Sequence, residues 1–374
     1  MNDTGVLIIG LGDLGVRLLN MLATQAGIGR LICASRDAER GRQHAAQATL
    51  LADMMNGPRR IAFEPLDLQD QEATVRLLRA VDCDVIVMAA SRHTWWRSPA
   101  GENRQRAEQL ADIPYGAWLP VQVSLVRTLM EARRESGVAG RVVCLPYPDG
   151  VGPALRPLGL APAIGAGNVT EDAAKLRSLA AEQAGVAREE VDVRLVLHHA
   201  AERISFPSFA ALSGSMVASD EPPWYAETRV GGEVLSDEQV GELFRAPFPR
   251  PAGVETQTPT AAAAAHLVSA LLSDVPIATH APSPGGLPGG YPVHVSRSDI
   301  RLRLPERLSE GEAVAINQRA GLWDGIKGVE PDGTVLFTDA IAEATERILG
   351  LRLDRVPAND LYAVANEMIQ RARG

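Results

Sequence analysis

The sequence predicts an α/β protein: a doubly wound parallel sheet followed by a smaller α+β domain. Short apolar runs alternate with helix-periodic segments over the first 145 residues. A glycine-rich turn joins the first run to the first helix. A chain of 374 residues also exceeds what one continuous core usually holds, which favours two domains.

Residues 5–10 (GVLIIG) form an apolar run too short for a helix. Residues 13–27 have helical spacing, with Leu14, Leu18, Met21 and Leu22 on one face and Gly27 as a stop. Residues 31–35 read as a second strand, 37–55 as a helix capped by Asp37, 60–65 as a third strand and 69–80 as a helix. Residues 84–90 (DVIVMAA) read as a buried strand, 117–136 as a helix despite Pro120, and 141–145 as a fifth strand. Such alternation implies parallel strands covered by helices on both faces.

The second half is less regular. Residues 170–184 look helical and 191–198 alternate as a strand. Residues 219–256 are rich in Pro, Gly and acids, with a short helix near 236–244. An Ala-rich helix over 259–273 follows, containing the run Ala261 to Ala265. Strand signals at 277–281 and 292–295 flank SPGGLPGGY; a further strand signal covers 299–304, and a helix spans 309–326. The last 48 residues hold a PDG turn, a strand-like VLFT and two helical stretches. The expected division is a first domain over 1–166 with a long loop at 91–106, a second domain over 167–330, and a helical extension over 331–374.

Composition narrows the partners. Lys plus Arg is 37 against 46 Asp plus Glu, a net charge of −9. That argues against a general nucleic-acid binder, which needs a basic surface. No run approaches 18 apolar residues, so no transmembrane helix is expected. The amino terminus lacks a basic segment ahead of its apolar run and does not read as a signal peptide. Cys33, Cys83 and Cys144 are isolated and odd in number, as in a reduced cytoplasmic protein. His44, His93, His266, His280 and His294 show no metal-ligand spacing, so no metal is expected.

Gly10-Leu11-Gly12-Asp13-Leu14-Gly15 is a GxGxxG turn between a predicted strand and a predicted helix, the context that gives this motif meaning. Gly10 permits the tight turn, Gly12 lets backbone approach a pyrophosphate, and Gly15 lets helix pack on strand. The helix N-terminus, with Asp13 and Leu14 in its first turn, then presents free N–H groups to the anion. Ala89 and Ala90, ending the fourth strand, are expected to line the same site. An NAD enzyme places an acid at the end of the second strand to hold the ribose hydroxyls. Here Ala34 occupies that place, followed by Ser35 and Arg36. A hydroxyl and a guanidinium suit a 2′-phosphate, so NADP(H) is expected, with Ser35 and Arg36 as ligands and Arg40 assisting. The alternative is a solvated Arg36, with Asp37 holding the ribose.

Residues 164–177 (IGAGNVTEDAAKLR), followed by a strand ending in His198 and His199, resemble the lactate/malate dehydrogenase superfamily. The resemblance extends over about residues 5–330, including the Ala-rich helix after Thr256 and the hairpin and helix from Pro292 onward. It implies a Rossmann domain with a C-terminal α+β substrate domain. It also implies a catalytic histidine matched by His199, with His198 as a one-residue slip, oriented by an aspartate matched by Asp172. The protonated imidazole would donate to a carbonyl oxygen as hydride reaches the carbon. The family's substrate-clamping arginine is Lys175 here, which keeps charge but loses the planar two-point grip. Its Asn-Pro element reads Tyr147-Pro148, with Tyr147 a substitute donor, and the residues after the histidine are Ala200 and Ala201. The active-site loop is longer and carries Arg92, Arg97, Arg104 and Arg106, with Arg97 and Arg104 the favoured substrate contacts. Trp95 and Trp96 suit a larger or aromatic substrate, or a lid. Thr256 completes the expected substrate set.

These readings converge on an NADP(H)-dependent reductase of a 2-oxo acid or related carbonyl, cytoplasmic, acting on a small molecule as a homodimer or homotetramer. An imine reductase on the same scaffold and a dinucleotide-binding protein without turnover are the alternatives.

Overall fold

The computed structural model describes residues 4–55, 60–92, 101, 103–206, 220–251 and 253–373. Its first domain runs β1 (Gly5–Ile9), α1 (Asp13–Ala23), β2 (Arg30–Ser35), α2 (Ala38–Met54), β3 (Arg60–Pro65), α3 (Gln71–Val81) and β4 (Val85–Met88). It continues through α4 (Arg104–Ala111), α5 (Leu119–Ser136), β5 (Arg141–Cys144), α6 (Pro148–Leu155) and β6 (Ile164–Gly165). The six strands are parallel in the order β3-β2-β1-β4-β5-β6. The order reverses between β1 and β4, so the crevice for a ligand opens beyond their carboxyl ends.

Alternation along the strands divides the core between two faces. Leu7, Ile9, Ile32, Ala34, Ile86 and Met88 pack with α3 and α5 on one side. Val6, Ile8, Leu31, Cys33, Val85 and Val87 pack with α1 and α2 on the other. Each such buried aliphatic side chain contributes about 1.5–3 kcal/mol. Local signals set the helix starts. Asp37 and Asp70 accept hydrogen bonds from the backbone N–H groups of Arg40 and Ala73, at 3.0 and 2.9 Å. Pro120 is tolerated because it lies in the first turn of α5, where an N–H has no helical partner.

The second domain contains α7 (Val169–Ala184), β7 (Val191–Val196), α8 (Glu202–Ser205), β8 (Tyr225–Val230), β9 (Glu233–Val234) and α9 (Asp237–Arg245). Then come α10 (Gln257–Leu272), β10 (Ile277–Pro282), β11 (Gly290–Val295), β12 (Ile300–Leu302) and α11 (Glu310–Gly321). Two antiparallel three-stranded sheets, β7-β8-β9 and β10-β11-β12, form its frame. Buried Ala261, Ala264 and Ala265 let α10 lie close against α1 and carry the second domain to the cofactor side of the first.

Several expected elements differ. Strand β7 stops at Val196, so His198 and His199 fall in the turn beyond it rather than at the end of the strand. The helix expected over 309–326 ends at Gly321, and Asp324 lies in the following turn. Helix α6 was hidden by Pro148, Gly150, Gly152 and Pro153; Pro148 is harmless in its first turn. The carboxy-terminal segment is not purely helical. It comprises β13 (Ile326–Val329), β14 (Val335–Phe337), α12 (Asp339–Leu349), β15 (Arg355–Val356) and α13 (Leu361–Arg373), with the strands paired antiparallel in chain order. Leu361, Ala365, Met368 and Ala372 form one buried stripe of α13, which packs on α5 and joins the first domain's core.

Among the described residues no helix is long and apolar enough to cross a membrane.

Candidate functional site: a dinucleotide crevice ending at a buried His–Asp pair

A crevice of about 760 Å³ runs from the end of β2, across the switch point, to the turn after β7. Gly10, Gly12, Asp13, Leu14, Ala89 and Ala90 line its middle. Gly10 has φ +105°, and a Cβ there would stand 2.5 Å from the Ala90 nitrogen. A Cβ on Gly15 would meet the Gly10 carbonyl oxygen at 1.9 Å, so α1 can approach β1 only through this glycine. A Cβ on Gly12 would meet only open space. Gly12 is also the N-cap of α1 and gives no side-chain cap, so the first N–H groups of α1 stay directed at the crevice. The cradle therefore fits the pyrophosphate of a dinucleotide. Asp13 turns to Arg17 at 3.0 Å, which offsets an acid at this helix end.

At one end the crevice is lined by Ser35, Arg36, Asp37, Arg40 and His44. Asp37 already caps α2. The Arg36 and Arg40 side chains are exposed, and their guanidinium groups have no hydrogen-bond partner among the described residues. His44, which sequence reading passed over, follows Arg40 by one helical turn and so shares its face. The C-terminal helix α13 supplies Asn366, Ile369, Gln370 and Arg373 to the same wall. Asn366 Oδ1 accepts a hydrogen bond of 2.6 Å from the Arg92 guanidinium.

At the other end His199 is 4 % exposed. Its Nδ1 lies 2.8 Å from Asp324 Oδ2, and its backbone N–H donates to Asp149 Oδ1 at 3.0 Å. Asp149 is fixed in turn by Asn168 Nδ2 at 3.0 Å. The Tyr115 ring stacks on the imidazole at 4.6 Å between centroids, and Tyr147 stands edge-on at 5.4 Å. Tyr147 donates its hydroxyl to Asp324 Oδ2 at 2.8 Å. Asp324 thus receives two donors on one oxygen, while Oδ1 is buried without a partner. Burial opposes protonation of His199, but the charge and hydrogen bond of Asp324 outweigh it and raise the imidazole above its ordinary value. Burial likewise opposes the Asp324 charge, yet His199, His198 and Arg203 hold that carboxyl below the carboxylate range. Burial lowers His198, whose Nδ1 accepts the Ala200 N–H at 3.1 Å and which stands 3.8 Å from Asp324. His198 is therefore a neutral turn-builder, and His199 is the protonatable partner.

The expected orienting residue, Asp172, is corrected by this geometry. Its Oδ1 accepts a short hydrogen bond from Ser205, and the carboxylate hydrogen-bonded to the His199 ring is that of Asp324. Asp172 lies in the first turn of α7 and meets Ser205 at the end of α8, whereas the turn after α11 brings Asp324 to the ring. Lys175 does not line the crevice: it is 1 % exposed and donates to the carbonyls of Ser205 and Phe244 at 2.6 and 2.8 Å. Arg104 lies exposed on α4 and also does not line the crevice. Arg97, Trp95 and Trp96 fall outside the described residues. Tyr147 and Thr256 do line the crevice; the Tyr147 hydroxyl is engaged with Asp324, and the Thr256 hydroxyl with the Gly253 carbonyl at 2.6 Å. Tyr147 sits at φ +39°, a left-handed conformation costing about 1–2 kcal/mol in a residue with a Cβ. That turn aims its ring at His199.

Beside His199, a network unforeseen from sequence fills the wall. Arg250 bridges Glu171 at 2.9 Å and Glu202 at 3.2 Å, and its guanidinium lies 3.7 Å over the Phe206 ring. Thr260 donates to Glu171 at 2.7 Å. Burial and then the neighbouring Glu202 charge push Glu171 up to about 7, against the pull of Thr260 and Arg250.

No family model matches the sequence. The fold is nevertheless shared with solved dehydrogenases. Lactate dehydrogenase from Eimeria maxima, determined with NADH and oxamate, superposes with a TM-score of 0.58 at 11% identity over 86% of this chain and 92% of that one. Malate dehydrogenase from Cryptosporidium parvum gives 0.57 at 15% identity, covering 86% and 96%. Malate dehydrogenase from Plasmodium falciparum gives 0.56 at 13% identity, covering 98% and 99%. The architecture is thus that of the lactate and malate dehydrogenases: a Rossmann-type parallel sheet joined to a C-terminal α+β domain.

Proposed function

We propose that this chain is an NADP(H)-dependent oxidoreductase that reduces a carbonyl carbon, with His199 as the general acid. The observation that carries the reading is the hydrogen bond from His199 to Asp324 at one end of a crevice whose middle is a glycine cradle for a pyrophosphate. A bound nicotinamide would supply the hydride. His199 holds a proton on the ring nitrogen away from Asp324 and releases it to the oxygen as the carbonyl is reduced. Asp324 keeps the Nδ1–H tautomer, opposes rotation of the ring and stabilises its charge; it is a positioning residue. Tyr115 and Tyr147 exclude water from one face of the imidazole.

Ser35, Arg36 and Arg40 support the choice of NADP(H), because unpartnered guanidinium groups suit a phosphate dianion and Asp37 is occupied as a helix cap. The expected outcome is tighter binding of NADPH than of NADH, measured by quenching of intrinsic fluorescence, and a loss of roughly 10- to 100-fold in NADPH affinity for Arg36→Ala with NADH unaffected. Equal affinities for the two dinucleotides in both proteins would remove the NADP(H) assignment.

We extend the reading to a cytoplasmic homodimer or homotetramer. The three free, buried cysteines support the compartment, and the resemblance to the dehydrogenases supports the assembly. The expected 2-oxo acid finds less support. Lys175 is spent on backbone carbonyls, and Arg250 already carries two carboxylates.

A further inference from the structure

We propose that the substrate end of the crevice recognises a cationic nitrogen, an ammonium or iminium group beside the reacting carbon, through Glu202 and Glu171. This rests on the hydride-transfer reading for the reaction, though not for the recognition itself.

The charges around His199 are unbalanced toward acid. Asp149, Glu202 and Asp324 are each no more than 3 % exposed, and the Glu171 side chain is 9 % exposed. Arg250, Arg203 and the protonated His199 face these four carboxylates, three cations against four acids. Arg250 is shared between Glu171 and Glu202 and can neutralise only one of them. Glu202 Oε1 takes the Arg250 contact, whereas Oε2 is buried with no hydrogen-bond partner among the described residues. A buried carboxylate oxygen left unpaired is costly, and a donor bearing positive charge is its natural complement.

Placement makes the imbalance relevant to a substrate. Glu202 follows His199 by three residues through a 3₁₀ turn into α8, so the two side chains project to the same side. Both line the crevice, as do Glu171 and Arg250. A substrate carboxylate here would meet two glutamates and a guanidinium already bridged between them. A cationic nitrogen would instead pair with Glu202 Oε2. Reduction of an iminium carbon also balances in this setting. Hydride forms the new C–H bond, the C=N π pair moves onto nitrogen to leave a neutral amine, and the positive charge passes to the oxidised dinucleotide. An ammonium-bearing ketone keeps its charge, and its new alkoxide takes the proton of His199.

The test compares ligands by thermal shift and calorimetry on the full chain with NADP⁺ present. Benzylamine and piperidine stand for the cation, oxamate and malonate for the anion. The amines are expected to raise Tm and bind, the two anions not, and Glu202→Gln to weaken the amines by roughly 10- to 100-fold. Glu171→Gln serves as the second variant should Glu202→Gln unfold, with the same direction expected. Oxamate or malonate binding as well as the amines, or amine affinity unmoved in a folded variant, overturns the proposal. If NADPH fails to raise Tm while amines do, the dinucleotide reading falls and the cation site stands. If NADPH raises Tm and amines do not, the reverse holds. Turnover of cyclic imines against α-amino ketones then separates iminium from ammonium.

Discussion

His199→Gln is expected to lower the rate of NADPH-dependent reduction by roughly 10²- to 10⁴-fold while NADPH still binds, because it deletes the general acid and keeps most of the side-chain volume. Asp324→Asn has a different signature. Reduction needs the protonated imidazole, so activity is full below the His199 pKa and is lost as pH rises through it. Asp324 raises that pKa, which places the alkaline limb above the ordinary histidine value of about 6.5. Removing the charge moves the limb toward lower pH and lowers the plateau, since the amide no longer stabilises imidazolium. A pH–rate profile of both variants decides the matter. A His199→Gln rate close to the parent, or an Asp324→Asn limb that stays in place, would remove the pair from the chemistry.

Arg250→Leu should be the most destabilising change near the site, by roughly 3–5 kcal/mol at neutral pH. It leaves the Glu171 and Glu202 carboxylates buried without their shared partner and strips the cation from the Phe206 ring. The loss should depend on pH. Glu171 is already raised to about 7 in the folded chain against an ordinary 4.5. A raised folded pKa means a favourable contribution at low pH that disappears as pH rises through the folded value. Without Arg250 both acids rise further, so the variant should recover stability as pH falls from about 8 toward 5. Urea melts at those two pH values measure this. A variant equally destabilised at both would show that lost packing on Phe206, not uncompensated charge, is the cause.

The contrast between Asp172 and Asp324 shows where sequence reading stops. Both are acids near a helix end, and only Asp172 matches the spacing of the lactate/malate dehydrogenase superfamily. Asp324 is 125 residues from His199 and sits in a turn that was expected to be helix. Nothing in local periodicity marks it. Lys175 likewise kept the spacing of a substrate clamp, but its ammonium is turned inward to Ser205 and Phe244. The Arg250 network was invisible for the same reason: its members are separated by 31 to 89 residues in sequence and meet only through packing. One signal was available and unused. The adjacent pair His198-His199 followed three residues later by Glu202 on a turn places an acid beside the imidazole whatever the long-range fold.

What the sequence determined by itself is the part governed by neighbours along the chain. Strand alternation, helix caps, and a glycine turn in which a Cβ on Gly10 or Gly15 would strike backbone together specify a parallel sheet with an anion cradle at its switch point. Those are local steric and hydrogen-bonding constraints, written within a few residues of where they act. Only the tertiary structure decided which carboxylate holds His199, which cations are already spent, and that the C-terminal helix walls the crevice. Pairings of that kind depend on which distant segments share a core and on how much water they exclude. The charge a buried group can keep is set by those neighbours, and no spacing along the chain records them.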